Sequence, residues 1–341
     1  RLVGSEMCIR DSPGEVGTIN VRGVRSLSAS NTPLYVVDGI PLMSNSGIET
    51  LNPQDIESID VLKDASATAI YGSRGANGVI LVTTKSGKEG KMSLNYSGTV
   101  TIENLQDYSE MMNSAEYIDW RRWSYYYLNP SKYPRGDQPT KENDYEIFLG
   151  ATDPTAWKNI EKGWAGGTWD GSRVPNTDWC DMVTQTGVTH EHTLSASGGT
   201  DKMKGYASIG YLDNEGTVKG QSYTRYTTKL SLDLKPTKWF NLGLNVNGTF
   251  SEQQYGSSAS SVGQLIKGMP SNLYAASTSL FPYASPYDED GNRIEYPGGD
   301  DKVKNVMNEW NNSQNERRMF RAIGSLYCLL YTSPSPRDAH E

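Results

Sequence analysis

The sequence predicts a compact α/β unit followed by a partial antiparallel transmembrane β-barrel, and three observations predict it. Up to residue 92, short apolar runs alternate with turn residues and one Ala-rich stretch. From residue 93 the text changes to strict alternation of apolar and polar residues over segments about ten residues long, the rhythm of a strand with two unlike faces. The connections between those segments are short in some places and very long in others.

In the first unit, Ile19–Val24 reads as a short strand and Leu34–Val37 as a buried one, followed by an Asp38-Gly39 turn. Asp and Gly both tolerate the left-handed backbone that tight turns need. Asn52–Ile56 opens a helical turn, Ile59–Leu62 is a short strand, and Ala65–Tyr71 is an Ala-rich helix stopped by Gly72. Gly78–Thr84 is a buried strand, and Lys85–Lys91 is a polar linker.

Five segments then carry the two-residue rhythm. Ser93–Ile102 sets Leu94, Tyr96, Val100 and Ile102 against Ser93, Asn95, Ser97, Thr99 and Thr101. Val188–Ser197, Met203–Tyr211, Tyr226–Leu234 and Phe240–Phe250 repeat it, with Tyr206 the one aromatic on a polar side, and a sixth strand starts near Arg317. A soluble sandwich also alternates. Two features favour a membrane wall: strands of about ten residues, the length a tilted strand needs to cross a bilayer, and a polar face of Asn, Ser, Thr and Lys that suits a wet lumen. Short turns at Gly198–Lys202 and Lys235–Trp239, against excursions at 103–187 and 252–316, place the long segments on one rim, as outer-membrane barrels do.

Composition agrees. No apolar run approaches the ~18 residues of a membrane helix. A formal charge of −8, from 32 basic and 40 acidic residues, argues against nucleic acid, whose binders carry a basic stripe. Tyr (21) far exceeds Phe (5), as interfacial girdles favour. Cys8, Cys180 and Cys328 have neither zinc nor redox spacing. The ends, Arg1–Ser12 and Tyr327–Glu341, fit neither neighbouring pattern and resemble translated adapter read-through, so both are expected to be non-native.

One long ordered match is more specific than any of this. Pro13–Val24, Pro33–Pro41 and above all Asn52–Ile80 (NPQDIESIDVLKDASATAIYGSRGANGVI) resemble the plug of SusC/RagA TonB-linked outer-membrane proteins. Asn176–Trp179, Ser197–Gly199, Gly210–Gly216 and Thr237–Phe240 resemble the start of that family's barrel. The resemblance implies a plug over residues 13–92 and the first part of a barrel of about 22 strands over 93–326. It implies active import of a glycan oligomer or a peptide across the Gram-negative outer membrane, among outer-membrane lipids. The implied partners are a SusD-like surface lipoprotein and TonB–ExbB–ExbD, without cofactor, metal or catalytic group. About six strands cannot close on themselves, so both edges of the sheet are expected to be open.

The plug motif singles out Asp38, Gly39, Lys63, Asp64, Tyr71, Gly72, Arg74, Gly75 and Gly78. The three later glycines bracket a turn in which positive φ is permitted. Arg74, the charge in that turn, is expected to pair with carboxylates of the wall or to be a plain surface arginine; Lys63 and Asp64 read as a helix-start pair. The spacing G-x-x-G-x-x-G lacks the Lys of a phosphate loop. His190 and His192 share a strand face, either as a metal half-site or at a barrel rim. Asp288–Asn292 reads as a hairpin turn, since Gly is out of place for a calcium loop. Tyr125–Tyr127, Trp164, Trp169 and Tyr274 could stack on sugars or pack among loops. No Ser–His–Asp set or carboxylate pair can be assembled. The rival to a transporter is a soluble β-rich glycan-binding protein.

Overall fold

The computed structural model describes residues 32–42, 51–63, 69–105, 111–148, 154–237, 239–256, 273–297, 304–307, 309–312 and 315–330. The expected strand Ile19–Val24, Asp64 with the first residues (65–68) of the expected Ala-rich helix, and most of both suspect ends lie outside them.

The N-terminal unit is a four-stranded sheet of β1 (Leu34–Val37), β2 (Ile40–Pro41), β3 (Ile56–Leu62) and β4 (Val79–Thr84), in the order β2-β1-β4-β3. β1 and β4 are parallel and central, which is why both read as unbroken apolar runs. Val36, Val37, Val79 and Val82 are buried at 0–1% exposure. β2 returns beside β1 through a two-residue turn with positive φ at both Asp38 (49°) and Gly39 (83°), as a type I′ hairpin requires. Where the sequence suggests the end of a helix, Ala69–Gly75 forms two 3-10 turns kinked at Gly72.

The second sheet has six antiparallel strands in sequence order: β5 (Gly90–Glu103), β6 (Gly187–Gly199), β7 (Met203–Glu215), β8 (Gln221–Thr237), β9 (Phe240–Tyr255) and β10 (Glu316–Leu330). It is an open sheet with β5 and β10 as its edges. The strands run 13 to 17 residues, longer than expected, because their upper ends continue past the apolar band into charged positions. Tyr327–Leu330, taken from sequence as foreign, continue β10 in register with Phe240–Gly243.

The two faces of this sheet are inverted relative to a water-soluble protein. On β8, Thr227, Lys229 and Ser231 are buried at 6%, 3% and 5%, while Tyr226 is 51% exposed. Leu94, Val100, Ile209 and Phe320 are likewise exposed, and Thr193, Ser208, Thr249 and Ser251 buried. Among the described residues no second sheet covers the apolar face, which a soluble sandwich would need. The ladder also aligns His192, Tyr211, Tyr226, Phe250 and Phe320 as one cross-strand row on that face. Tyr211 and Tyr226 stand 5.1 Å apart between centroids, and Tyr96 reaches in to bond His192 Nδ1 at 2.8 Å. One row further up the face turns polar: His190 with Asp213 at 3.4 Å, and Arg318 with Glu252 at 3.2 Å.

The long excursions fold together above the sheet. The first holds α1 (Ser114–Leu128), α2 (Lys141–Ile147), α3 (Pro154–Glu161) and α4 (Trp179–Val183); the second holds α5 (Leu273–Ser279) and α6 (Glu309–Asn312). Asn113 and Glu116 form a capping box, and Ser114, Ile118 and Arg122 face inward at helical spacing. Asn159 Nδ2 donates to Tyr283 O at 3.0 Å and Trp179 Nε1 to Phe281 O at 2.9 Å, and the two excursions share two apolar clusters, both in contact with Phe281.

At its centre Arg122 forks onto Asp144 at 2.9 and 2.5 Å, with Trp164 Nε1 on the same carboxylate and the Trp169 ring 3.9 Å from the guanidinium. Of the aromatics proposed for sugar stacking, Trp164, Trp169, Tyr125 and Tyr274 are therefore used in packing; Tyr127 remains exposed. Asp288–Asn292 is a hairpin turn closed by a Tyr287–Arg293 bridge. The Asn292 amide, donating to the Asp288 carboxylate, holds that group below the usual carboxylate range.

Arg122→Ala would strand the Asp144 charge in this core and should cost about 3–5 kcal/mol. Limited proteolysis should then cut within 111–187 while the six-stranded sheet stays intact. Unchanged protease resistance would show that the pair does not hold the cap.

Candidate functional site at the seam between the sheets

Over the central strands β6–β9 much of the polar face of the six-stranded sheet is buried. It packs on the N-terminal unit through a set of matched hydrogen bonds that involve β6, β7, β8 and β9. The turn Leu51–Asp55 supplies several. Asn52 caps the 3-10 turn with its Oδ1 on Gln54 N, and its Nδ2 donates across the seam to Thr193 Oγ1 at 3.0 Å and Thr227 Oγ1 at 3.4 Å. Tyr206 OH donates to Asp55 Oδ1 at 2.7 Å, which accounts for the one aromatic that broke the polar pattern. Arg225 donates to Leu51 O and Glu191 Oε1, both at 3.3 Å.

The second group is a closed ring that links buried Lys229 to half-buried Asp38. Asp38 Oδ2 accepts from Thr84 Oγ1 at 2.6 Å and from Asn245 Nδ2 at 2.8 Å. Lys229 Nζ donates to Thr84 Oγ1 and, at 3.1 Å, to Asn245 Oδ1. Each neutral side chain thus accepts from the ammonium and donates to the carboxylate. A charge as buried as Lys229 is tolerated only when paired and hydrogen-bonded, and the ring meets both conditions.

Close approach is bought with glycine. A Cβ at Gly210 would stand 2.4 Å from Thr227 Oγ1 and 2.5 Å from Asn52 Nδ2. One at Gly87, in the linker, would meet the Gly205 backbone nitrogen at 2.3 Å. The apolar core of the N-terminal unit, with Tyr35, Val37, Leu51, Ile80 and Val82, also takes in Ile323 from β10.

The residues singled out from sequence fall in two places. Asp38 and Gly39 sit at the seam. Gly72 (φ 58°), Gly75 and Gly78 (φ 98°) shape the turn at the other end of β1 and β4, where Gly78 O receives the amide of Leu34. Tyr71 packs on Leu34, Val36 and Val79. Arg74 does not pair with a wall carboxylate among the described residues; its guanidinium turns back to the carbonyl of Leu42. Lys63 is exposed at the end of β3, and Asp64 lies outside the described residues. His190 and His192 join the outer aromatic and polar rows, and no metal-binding group of three ligands occurs among the described residues. Sequence reasoning missed Asn52, Asp55, Thr84, Lys229 and Asn245 as partners. For Lys229, and for Asp55 through its partner Tyr206, a signal was available: Lys229 is a charge and Tyr206 a ring among the Ser, Thr and Asn residues of their segments' polar sides.

Comparison with known proteins locates this arrangement. The family model described as TonB-dependent Receptor Plug Domain matches residues 3–79. TonB-dependent receptor P26 of Formosa agariphila is 30% identical over 96% of this chain and 28% of its own length. TonB-dependent receptor SusC of Bacteroides thetaiotaomicron is 30% identical over 84% of this chain and 26% of its own. Among solved structures, the RagAB peptide importer in the closed-closed state aligns with a TM-score of 0.61 at 28% identity, covering 83% of this chain and 31% of that one. The chain therefore spans about a quarter to a third of the length of these relatives. With a plug-type sheet seated on the polar face of an antiparallel wall, and these sequence and structural matches across most of its length, the chain belongs to the SusC/RagA kind of TonB-dependent receptors.

Proposed function

We propose that this chain supplies the plug, over residues 13–92, and the first strands of the barrel, over 93–326, of an importer in the Gram-negative outer membrane. The observation that carries this is the inverted wall, apolar outside and polar against the plug. Its dimensions fit a bilayer. Phe250 in the aromatic row and Phe240 at the lower turn are ten residues apart on β9. At ~3.4 Å per residue and a tilt of ~40°, that rises ~26 Å, the height of the apolar band of such barrels. Trp239 beside Phe240 supplies aromatics at the lower boundary. The relatives, TonB-dependent receptors and the RagAB peptide importer, support a peptide cargo and energy from TonB; the family resemblance of the sequence extends this reading to glycan oligomers, a SusD-like lipoprotein on the outer side and ExbB–ExbD.

The seam suits a plug that must move. Apart from the apolar contact at Ile323, the contacts described are hydrogen bonds, each worth a net ~0.5–1.5 kcal/mol because water replaces them when they open. A seam of interdigitated apolar side chains would not have that substitute. The Lys229–Asp38 ring concentrates the cost in one place, since separating its halves leaves two charges to be rehydrated.

Uptake tests the function. Cells carrying the complete gene and a neighbouring lipoprotein gene should accumulate a labelled glycan or peptide only while the proton gradient is maintained; accumulation that persists after uncoupling would sink the proposal. Leu230→Arg, at mid-depth on the outer face, should cost ~2–4 kcal/mol in urea titrations of the bilayer-embedded receptor. A negligible change would mean that this face does not meet lipid. Asp38→Asn should weaken plug docking by about 3 kcal/mol, and Gly210→Val by ~1–3 kcal/mol through overpacking. Both are read as a lower urea midpoint for protease cleavage of the plug, with the barrel unaffected.

A further inference from the structure

The cap holds one arginine without a counter-charge. Of the five arginines in 103–187 and 252–316, Arg122, Arg135, Arg173 and Arg293 each pair with a carboxylate. Arg121 has no ion pair among the described residues. Its place on α1 sets its surroundings. Tyr117, Arg121 and Tyr125 follow at helical spacing and flank the buried stripe of Ser114, Ile118 and Arg122. All three are half-buried, so they lie where the core of the cap meets solvent.

Rings surround the guanidinium. Its Cζ stands 5.9, 5.4 and 5.5 Å from the ring centroids of Tyr125, Phe148 and Phe281. Tyr117 packs on Phe281 and Tyr283 at 5.4 and 6.0 Å between centroids, so both excursions build the enclosure. Burial works against the charge. Tyr283 and Tyr117 favour it electrostatically, Tyr117 and Tyr125 favour it by hydrogen bonding, and the pKa ends above the ordinary arginine value. A guanidinium has five N–H donors and no acceptor, and a tyrosine hydroxyl that accepts from it keeps its own proton to donate. The cluster is therefore rich in donors and lacks an anionic acceptor. Both excursions are net acidic, so diffuse attraction does not draw anions to the cap, and selection of one rests on direct contact at Arg121.

We propose that Arg121, with the hydroxyls of Tyr117 and Tyr125, binds a carboxylate of the cargo. The guanidinium fork matches two carboxylate oxygens, and the flanking rings receive the apolar part beside them. Peptides carry this group at the C-terminus and acidic glycans carry it on uronate units; the site takes the chemistry the two share. It rests on the importer reading and narrows the cargo within it. An arginine that only braces the cap through its rings would show no such selectivity.

The test is fluorescence anisotropy of labelled ligands on the receptor purified in detergent. Two matched series serve as probes: a short peptide as free acid or C-terminal amide, and a galacturonate oligomer as free acid or methyl ester. In at least one series the acid should bind about tenfold more tightly than its neutral counterpart, the gain from one charge-assisted bidentate contact. Arg121→Gln should erase that preference. Tyr125→Phe, which keeps the ring and removes the hydroxyl, should lower it about threefold. Arg135→Gln, at a carboxylate-paired arginine of the same cap, should leave it unchanged. A preference confined to one series supports the site and names the source of the carboxylate. No preference in either series overturns the site, as does one that survives Arg121→Gln or falls equally in Arg135→Gln. Should Arg121→Gln open residues 111–187 to protease, Tyr125→Phe decides, and an unchanged preference there overturns the site. Binding is read without an energised membrane, so failure here leaves the importer reading intact; accumulation that ignores uncoupling would remove that reading instead.

Discussion

The structure turns on one arrangement: a lysine and an aspartate from different sheets, joined through the Thr84 hydroxyl and the Asn245 amide. Neither charge could be removed from bulk water alone. The hydroxyl and the amide each have one accepting and one donating atom, and the ring uses both in the only sense that satisfies the ammonium and the carboxylate together. That requirement fixes the lateral register of the N-terminal unit against β8 and β9. It also explains the choice of Asp at a turn position: Asp38 tolerates the left-handed backbone of the hairpin and at the same time presents its carboxylate to the wall.

From this seam the inversion of the wall follows. Once the polar face is occupied by a partner that offers matched donors and acceptors, the strands' apolar side chains have only the outside left. In water that arrangement would be unstable. Against hydrocarbon it is the stable one, since a chain in lipid must satisfy its polar groups internally. The aromatic row and the polar row above it then mark where the surrounding medium changes.

Much of this was legible in the text. Period-two alternation located five of the six wall strands and their outward side chains, because register is fixed wherever two faces differ in polarity; of the sixth only the start near Arg317 was legible. Their upper limits were not legible: Asp213, Glu215 and Glu252 look like loop residues, yet β7 and β9 continue through them because backbone pairing does not need an apolar face. Asp38 and Gly39 were identified through their turn chemistry. The seam partners were harder, since Asn52 and Thr84 on one side and Thr193, Thr227 and Asn245 on the other are ordinary polar residues, and only three-dimensional approach pairs them across 141 to 207 positions. Arg74 misled for the opposite reason: a lone cation in a glycine turn suggests a partner across the seam, but a carbonyl one strand away was nearer.

The cap built by the two excursions has a mechanical side. Its halves rise from β5 and β6 at one edge of the sheet and from β9 and β10 at the other, and they interlock through backbone carbonyls at Phe281, Tyr283 and Ala284. A rigid chord tied between the two ends of an arc fixes its radius. The curvature of this six-stranded stretch is thereby tied from above by the joined excursions as well as by its own strand pairing.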